Sequence, residues 1–194
     1  MGNRLCCLTT NSEQINISNF QNYTFDLTPQ FSLKDKILLA RVVDIYDGDT
    51  CTCVIPIHDK YFYKFSIRLA GIDTCEIKAK SDSNKELAKK ARKRLYELIT
   101  NNENSTISLN ITRNDLKTIL NEKNYVICIR CEDFDKYGRL LAWLYKTGNI
   151  QTYYESNDLS FNKQLVDEKL AYEYNGATKL TEEQQICKLN VIKT

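Results

Sequence analysis

The stretch "KILLARVVDIYDGDTCTCVIPI", residues 36–57, holds two apolar runs rich in β-branched residues, with Asp47-Gly48 between them. β-Branched side chains fit strands, and a two-residue Asp-Gly link is a strong local hairpin signal. The spacing predicts strands over 36–46 and 49–57. The next segment, "KYFYKFSIRLA" (60–70), alternates at period two. Tyr61, Tyr63, Phe65, Ile67 and Leu69 share one face, and Phe62, Lys64, Ser66 and Arg68 share the other. Arg68 therefore falls on the more polar face, near the strand's end.

A helix is expected next. Ser83 and Glu86 form a capping box, and Leu87, Ala91, Leu95 and Leu98 recur at helical spacing. Lys89, Lys90, Arg92, Lys93 and Arg94 cover the rest, as a solvated face or a phosphate-facing patch. "STISLNIT" (105–112) and "YVICIRC" (125–131) read as strands, and "LLAWLYK" (140–146) as a central one. Helical stretches are expected near 160–170 and 181–193, the second opened by a Thr181/Gln184 capping box. Three strands, a helix, strands and then helices make an α+β order. A five-stranded OB-fold barrel with about three packed helices fits it, and such barrels commonly bind oligonucleotides.

Composition bounds the rest. The 194 residues suit one domain, 36–194, behind a polar tail, 1–35. No window approaches a transmembrane span, and the start has no apolar run of signal-peptide length, so an intracellular protein is expected. The net charge of +2 leaves any phosphate-binding surface local. Among eight cysteines, Cys128/Cys131 and Cys51/Cys53 allow a zinc site, but both stretches alternate like strands, which favours reduced structural thiols. The single histidine, His58, excludes hydrolases built on two. Acid–base work must then fall to carboxylates, and charge stabilisation to arginine, lysine or a metal.

Asp49 follows the first turn, while Asp73 and Glu76 follow the third strand. The hairpin can bring these loops to one end of the sheet, and Arg139, in "DKYGR" (135–139), can join Arg68 there. Carboxylate oxygens suit Ca²⁺ or Mg²⁺, arginine forks match phosphate oxygens, and a remaining carboxylate can polarise water. The set suits a phosphodiester.

"YDGDT", "IRLAGIDTCE" and "DKYGRLLAWLY", in this order, resemble the staphylococcal nuclease (thermonuclease) family over roughly 36–190. The resemblance implies an OB barrel with three helices and Ca²⁺-dependent cleavage of DNA and RNA, leaving 3′-phosphates. It assigns Asp49, Asp73 and the Thr74 carbonyl to one calcium ion. Glu76 becomes the acid that orients or deprotonates water, and Arg68 and Arg139 the grip on the scissile phosphate. "AYEY" resembles the groove-lining segment, so Tyr172 and Tyr174 are candidates to stack on a base or ribose. The chain departs from the family at Cys75, where proline is usual, and a thiol between Thr74 and Glu76 is a candidate redox switch. Two other readings compete. A non-catalytic nucleic-acid-binding module would lack the charged set. A Mg²⁺-dependent restriction-type nuclease would use Asp49 with Glu76 and Lys78 but leaves Arg139 unused. A monomer is expected. The start, "MGNRLCC", resembles acylated starts of some superfamily members: Gly2 is a myristoylation candidate, and Cys6 and Cys7 are palmitoylation candidates. Two acyl chains would anchor the protein to a membrane surface.

Overall fold

The computed structural model describes residues 17–57, 61–101, 107–148 and 156–189. Two compact units divide between Ser32 and Leu33. In the first, a 3-10 turn over Ile17–Phe20 leads into further turns, one closed by the Leu27 N–H donating to Thr24 Oγ1 at 3.3 Å. The second begins with Leu33, which is buried in the core and lies ahead of the boundary at 36 that composition marks.

In chain order the second unit contains β1 (Ile37–Asp47), β2 (Thr50–Ile57), β3 (Tyr61–Leu69), β4 (Ile72–Asp73), α1 (Asp82–Thr100) and α2 (Arg113–Glu122). Then come β5 (Val126–Phe134), β6 (Leu140–Tyr145), α3 (Phe161–Asp167), β7 (Tyr172–Glu173) and α4 (Glu182–Leu189). Five strands close a barrel in the order β1-β2-β3-β6-β5, and β4 pairs with β7 in a separate two-stranded ribbon. All barrel pairs are antiparallel except β3 with β6, which run parallel over Ile67–Leu69 and Leu140–Ala142. Val42, Ile45, Ile55, Ile67, Leu69, Ile129, Leu140 and Leu144 fill the interior, with Leu95, Leu116 and Leu120 arriving from the helices. This is the α+β barrel architecture expected above. Among the described residues it carries four α-helices, where about three are expected.

Three local readings shift. Asp47 pairs with Thr50, so the hairpin loop is Gly48-Asp49, one residue later than the Asp-Gly signal placed it. Register shifts after Val42 and Ile45 insert extra residue length into β1 and displace the turn. Gly48 is required there: a Cβ would lie 2.5 Å from Ala91 Cβ on α1. That close approach also explains why α1 buries Ala88, Ala91, Arg92, Leu95, Tyr96 and Ile99, while Leu87 and Leu98 are half-buried.

The second shift is at the start of α1, where Ser81, not Ser83, is the N-cap, and its side chain makes no capping bond. Glu182, from the start of α4, accepts the Lys80 and Ser81 N–H groups instead, each at 2.9 Å. The third concerns residues 107–112, which form turns rather than a strand. Ser108 Oγ accepts the Asn110 N–H at 3.2 Å, and Thr112 caps α2 by accepting the Asp115 N–H. Short hydroxyl side chains compete with ladder bonds in this way, and here they start a helix.

Cys51, Cys53, Cys128 and Cys131 are buried free thiols. The Cys51 and Cys53 sulfurs lie 3.9 Å apart. Among the described residues no three His, Cys, Asp or Glu side chains stand ready around a metal.

Candidate active site

The β2–β3 register sets Thr50 opposite Arg68, so the hairpin loop returns Asp49 to the end of β3. Arg68 Nη1 lies 2.7 Å from Asp49 Oδ2, and Nη2 lies 2.6 Å from Asp73 Oδ1. All three side chains are buried, Asp73 completely. A buried charge is costly unless paired, and this guanidinium fork satisfies two carboxylates at once. Asp49 Oδ2 also accepts the Thr74 N–H and Oγ1–H, both at 3.0 Å. Asp73 lies opposite Tyr172 in the β4–β7 pair, and the Tyr172 hydroxyl donates to Asp73 Oδ2. The orientation of Asp73 is therefore set from both sides.

Glu76 lies farther along the same loop and is half-exposed. Lys179, from the loop between β7 and α4, bridges it to Asp73: Nζ is 2.9 Å from Glu76 Oε1 and 3.0 Å from Asp73 Oδ1. Burial pulls the Lys179 ammonium pKa down, but the Glu76 bond and the Asp73 charge more than offset this and hold it above its ordinary value. Beneath the cluster, burial first and the Asp49 charge second push the Asp47 carboxyl up to about 8. Asp47, Asp49, Asp73, Thr74 and Glu76 bring hard oxygens to this region, a donor type that suits a divalent ion. Among the described residues, however, no three carboxylates are arranged around one position, and Arg68 stands between Asp49 and Asp73.

Arg68 also lines a groove of about 760 Å³, together with Arg139, Lys136, Tyr137, Trp143 and Tyr174. Parallel pairing of β3 with β6 brings Arg139, the residue before β6, to nearly the level of Arg68. Asp135 organises the turn that presents Arg139. Its Oδ1 accepts the Tyr137 and Arg139 N–H groups, and its Oδ2 takes Arg139 Nε at 2.7 Å. Trp143 forms part of the floor, its Nε1–H donating to Glu132 Oε1 at 3.1 Å. Gly71, at φ +74, lies over it. A Cβ there would meet the indole at 2.7 Å.

The family model described as staphylococcal nuclease homologue matches residues 66–191, more than half of the chain. The chain belongs to this family. No curated protein matches it. The staphylococcal nuclease homologue match supports a function of nuclease or nucleic-acid-binding type. It starts inside β3, so Asp49 falls outside it and owes its place to the barrel register.

In this nuclease homologue two sequence-based roles change. Tyr172 is 3% exposed, with its hydroxyl committed to Asp73, so its ring is not available to stack on a base. Tyr174, just past the end of β7, packs against the same buried cluster as Tyr172 but also lines the groove. Cys75 is 1% exposed and packs with Ala88, Tyr172 and Leu189. Burial pushes its thiol up to about 11, which disfavours the reactive thiolate that a redox switch needs. Lys136 and Tyr137 were readable only as a turn, yet a basic residue beside an aromatic inside "DKYGR" is the signal that marks them as groove residues. Nothing in the sequence marks Lys179.

Proposed function

We propose that the protein is a calcium-dependent phosphodiesterase that hydrolyses DNA and/or RNA to 3′-phosphate products. The observation that carries this reading is the pair of guanidinium groups, Arg68 and Arg139, on one groove, with Asp49 and Asp73 behind Arg68 and Glu76 joined to Asp73 through Lys179. Arginine forks match phosphate oxygens and keep their charge at any working pH, and Arg68 would turn a nitrogen from Asp49 or Asp73 to reach a phosphate. Once so placed, these donors stabilise the charge that builds on those oxygens without further reorganisation. Glu76, the most exposed carboxylate of the cluster, accepts a proton from the attacking water or orients it. Asp49, Asp73 and the Thr74 carbonyl would hold calcium, which supplies Lewis-acid charge to the same phosphate. Tyr174, Tyr137 and Lys136 offer aromatic faces and a cation to neighbouring nucleotides.

The test is cleavage of labelled DNA and RNA in calcium, in magnesium and in EDTA, with the product ends identified. Calcium-dependent cleavage to 3′-phosphates is expected, and Glu76→Gln should lower turnover by about 10²–10⁴-fold. Binding without cleavage would point to a binding module. Magnesium-dependent products with 5′-phosphates would point to restriction-type chemistry.

The reading extends to an acylated start. Gly2, Cys6 and Cys7 lie outside the described residues, and among those described no helix is long and apolar enough to cross a membrane. Dual acylation would attach the nuclease to a membrane surface. Fractionation should find wild type with membranes and Gly2→Ala released. Equal solubility of the two would end that idea.

A further inference from the structure

Lys179 touches the two carboxylates to which the proposed reaction gives different tasks. Asp73 would ligate the metal and Glu76 would handle the proton, yet one ammonium lies 3.0 Å from the first and 2.9 Å from the second. The Asp73 carboxylate is almost fully engaged. Its Oδ1 is shared by Arg68 Nη2 and Lys179 Nζ, and its Oδ2 accepts from Tyr172. An ionised carboxylate offers about two lone-pair sites on each oxygen, and both on Oδ1 are taken, so a further ligand at that oxygen must compete with a donor already present. Arg68 and Tyr172 are buried, whereas the Lys179 side chain is 48% exposed and is the donor able to swing into solvent.

The loop that carries Lys179 is held at both ends. Before it, the Tyr174 N–H donates to the Gly71 carbonyl at 2.9 Å, and the Tyr174 hydroxyl donates to the Ala177 carbonyl at 2.6 Å. After it, Glu182 fixes the start of α4 to the Lys80 and Ser81 amides. The lysine is thus placed on the carboxylates by the fold.

We propose that Lys179 is the site's built-in counter-cation: it positions Glu76 against Asp73, and calcium binds by displacing it from them. The proposal rests on the calcium-nuclease reading above. Two carboxylates this close repel each other unless a cation stands between them, and the ammonium supplies it. A divalent ion approaching the same oxygens meets the repulsion of that ammonium beside that of Arg68, so its affinity includes the cost of moving Lys179 aside.

Isothermal titration of the full chain with calcium alone tests this in wild type, Lys179→Met and Lys179→Arg. Methionine keeps the aliphatic stem and removes the charge, while arginine keeps the charge. Lys179→Met should bind calcium about tenfold more tightly, a modest figure because the lysine is half in solvent. Lys179→Arg should stay within about twofold of wild type. Lys179→Gln serves in the same way if the methionine variant fails to fold. Unchanged or weaker binding in the charge-removed variant, or no calcium binding in any of the proteins, overturns the proposal. If wild type cleaves nucleic acid with calcium and Lys179→Met binds the ion no better, this inference fails alone. If the expected shift appears but no protein cleaves, the nuclease reading fails and Lys179 keeps its place as competitor.

Discussion

Tyr172 shows how one hydroxyl divides two roles for a residue. As a stacking residue it would act through its ring, and Tyr172→Phe would be harmless. As found, it acts through its oxygen, which donates to Asp73 and receives Gln185 Nε2 at 3.4 Å. Gln185 in turn accepts Asn84 Nδ2 at 3.0 Å, so a chain of buried polar groups runs from α1 through α4 to the candidate metal ligand. A hydrogen bond to a charged group contributes about 1.5–3 kcal/mol. Tyr172→Phe should therefore lower unfolding stability by about that amount and weaken calcium binding. A variant with wild-type stability and calcium affinity would return Tyr172 to the stacking role. Cys75 belongs to the same buried region, with Asn84 Nδ2 3.5 Å from its sulfur.

At the scale of elements, the helix α3 contributes a residue that no motif announces. Asn162 is fully buried. Its Nδ2 donates to the Ala70 and Ala142 carbonyls at 2.9 and 3.1 Å, and its Oδ1 accepts the Leu144 N–H at 3.1 Å. It staples the end of β3 to β6 beneath the groove. Asn162→Ala would leave buried backbone groups unpaired, each costing about 1–3 kcal/mol. The expected loss is about 3 kcal/mol in urea unfolding, and a loss below about 1 kcal/mol would refute the staple. The sequence carried the barrel strands because their periodicity and β-branched runs are local signals, and "DGDT", "DTCE" and "DKYGR" carried the charged residues for the same reason. What it withheld depends on distant partners. The true N-cap arrangement of α1 needs Glu182, about a hundred residues away, and Lys179 meets Glu76 across a similar distance. The turns over 107–112 misled because isoleucines spaced among Ser, Asn and Thr imitate a strand until the hydroxyls find backbone amides.

For the molecule as a whole, the parallel β3–β6 pairing is, with β1–β5, one of two long-range seams that close the barrel. It joins Ile67–Leu69 to Leu140–Ala142, more than seventy residues along the chain. The Ala70 N–H extends it by donating to the Ala142 carbonyl at 2.8 Å. Each groove-lining arginine belongs to one side of this seam, Arg68 within β3 and Arg139 at the threshold of β6. Contacts so distant in sequence form slowly, because loop-closure entropy opposes them before they are rewarded, whereas helices and hairpins form from neighbours within microseconds. During synthesis the chain will therefore hold its first hairpin and its long helix while the two guanidinium groups are still far apart. A half-made molecule, however rich in secondary structure, has not yet brought Arg68 and Arg139 to one groove, and on the proposed reading it can grip no phosphodiester until folding has finished.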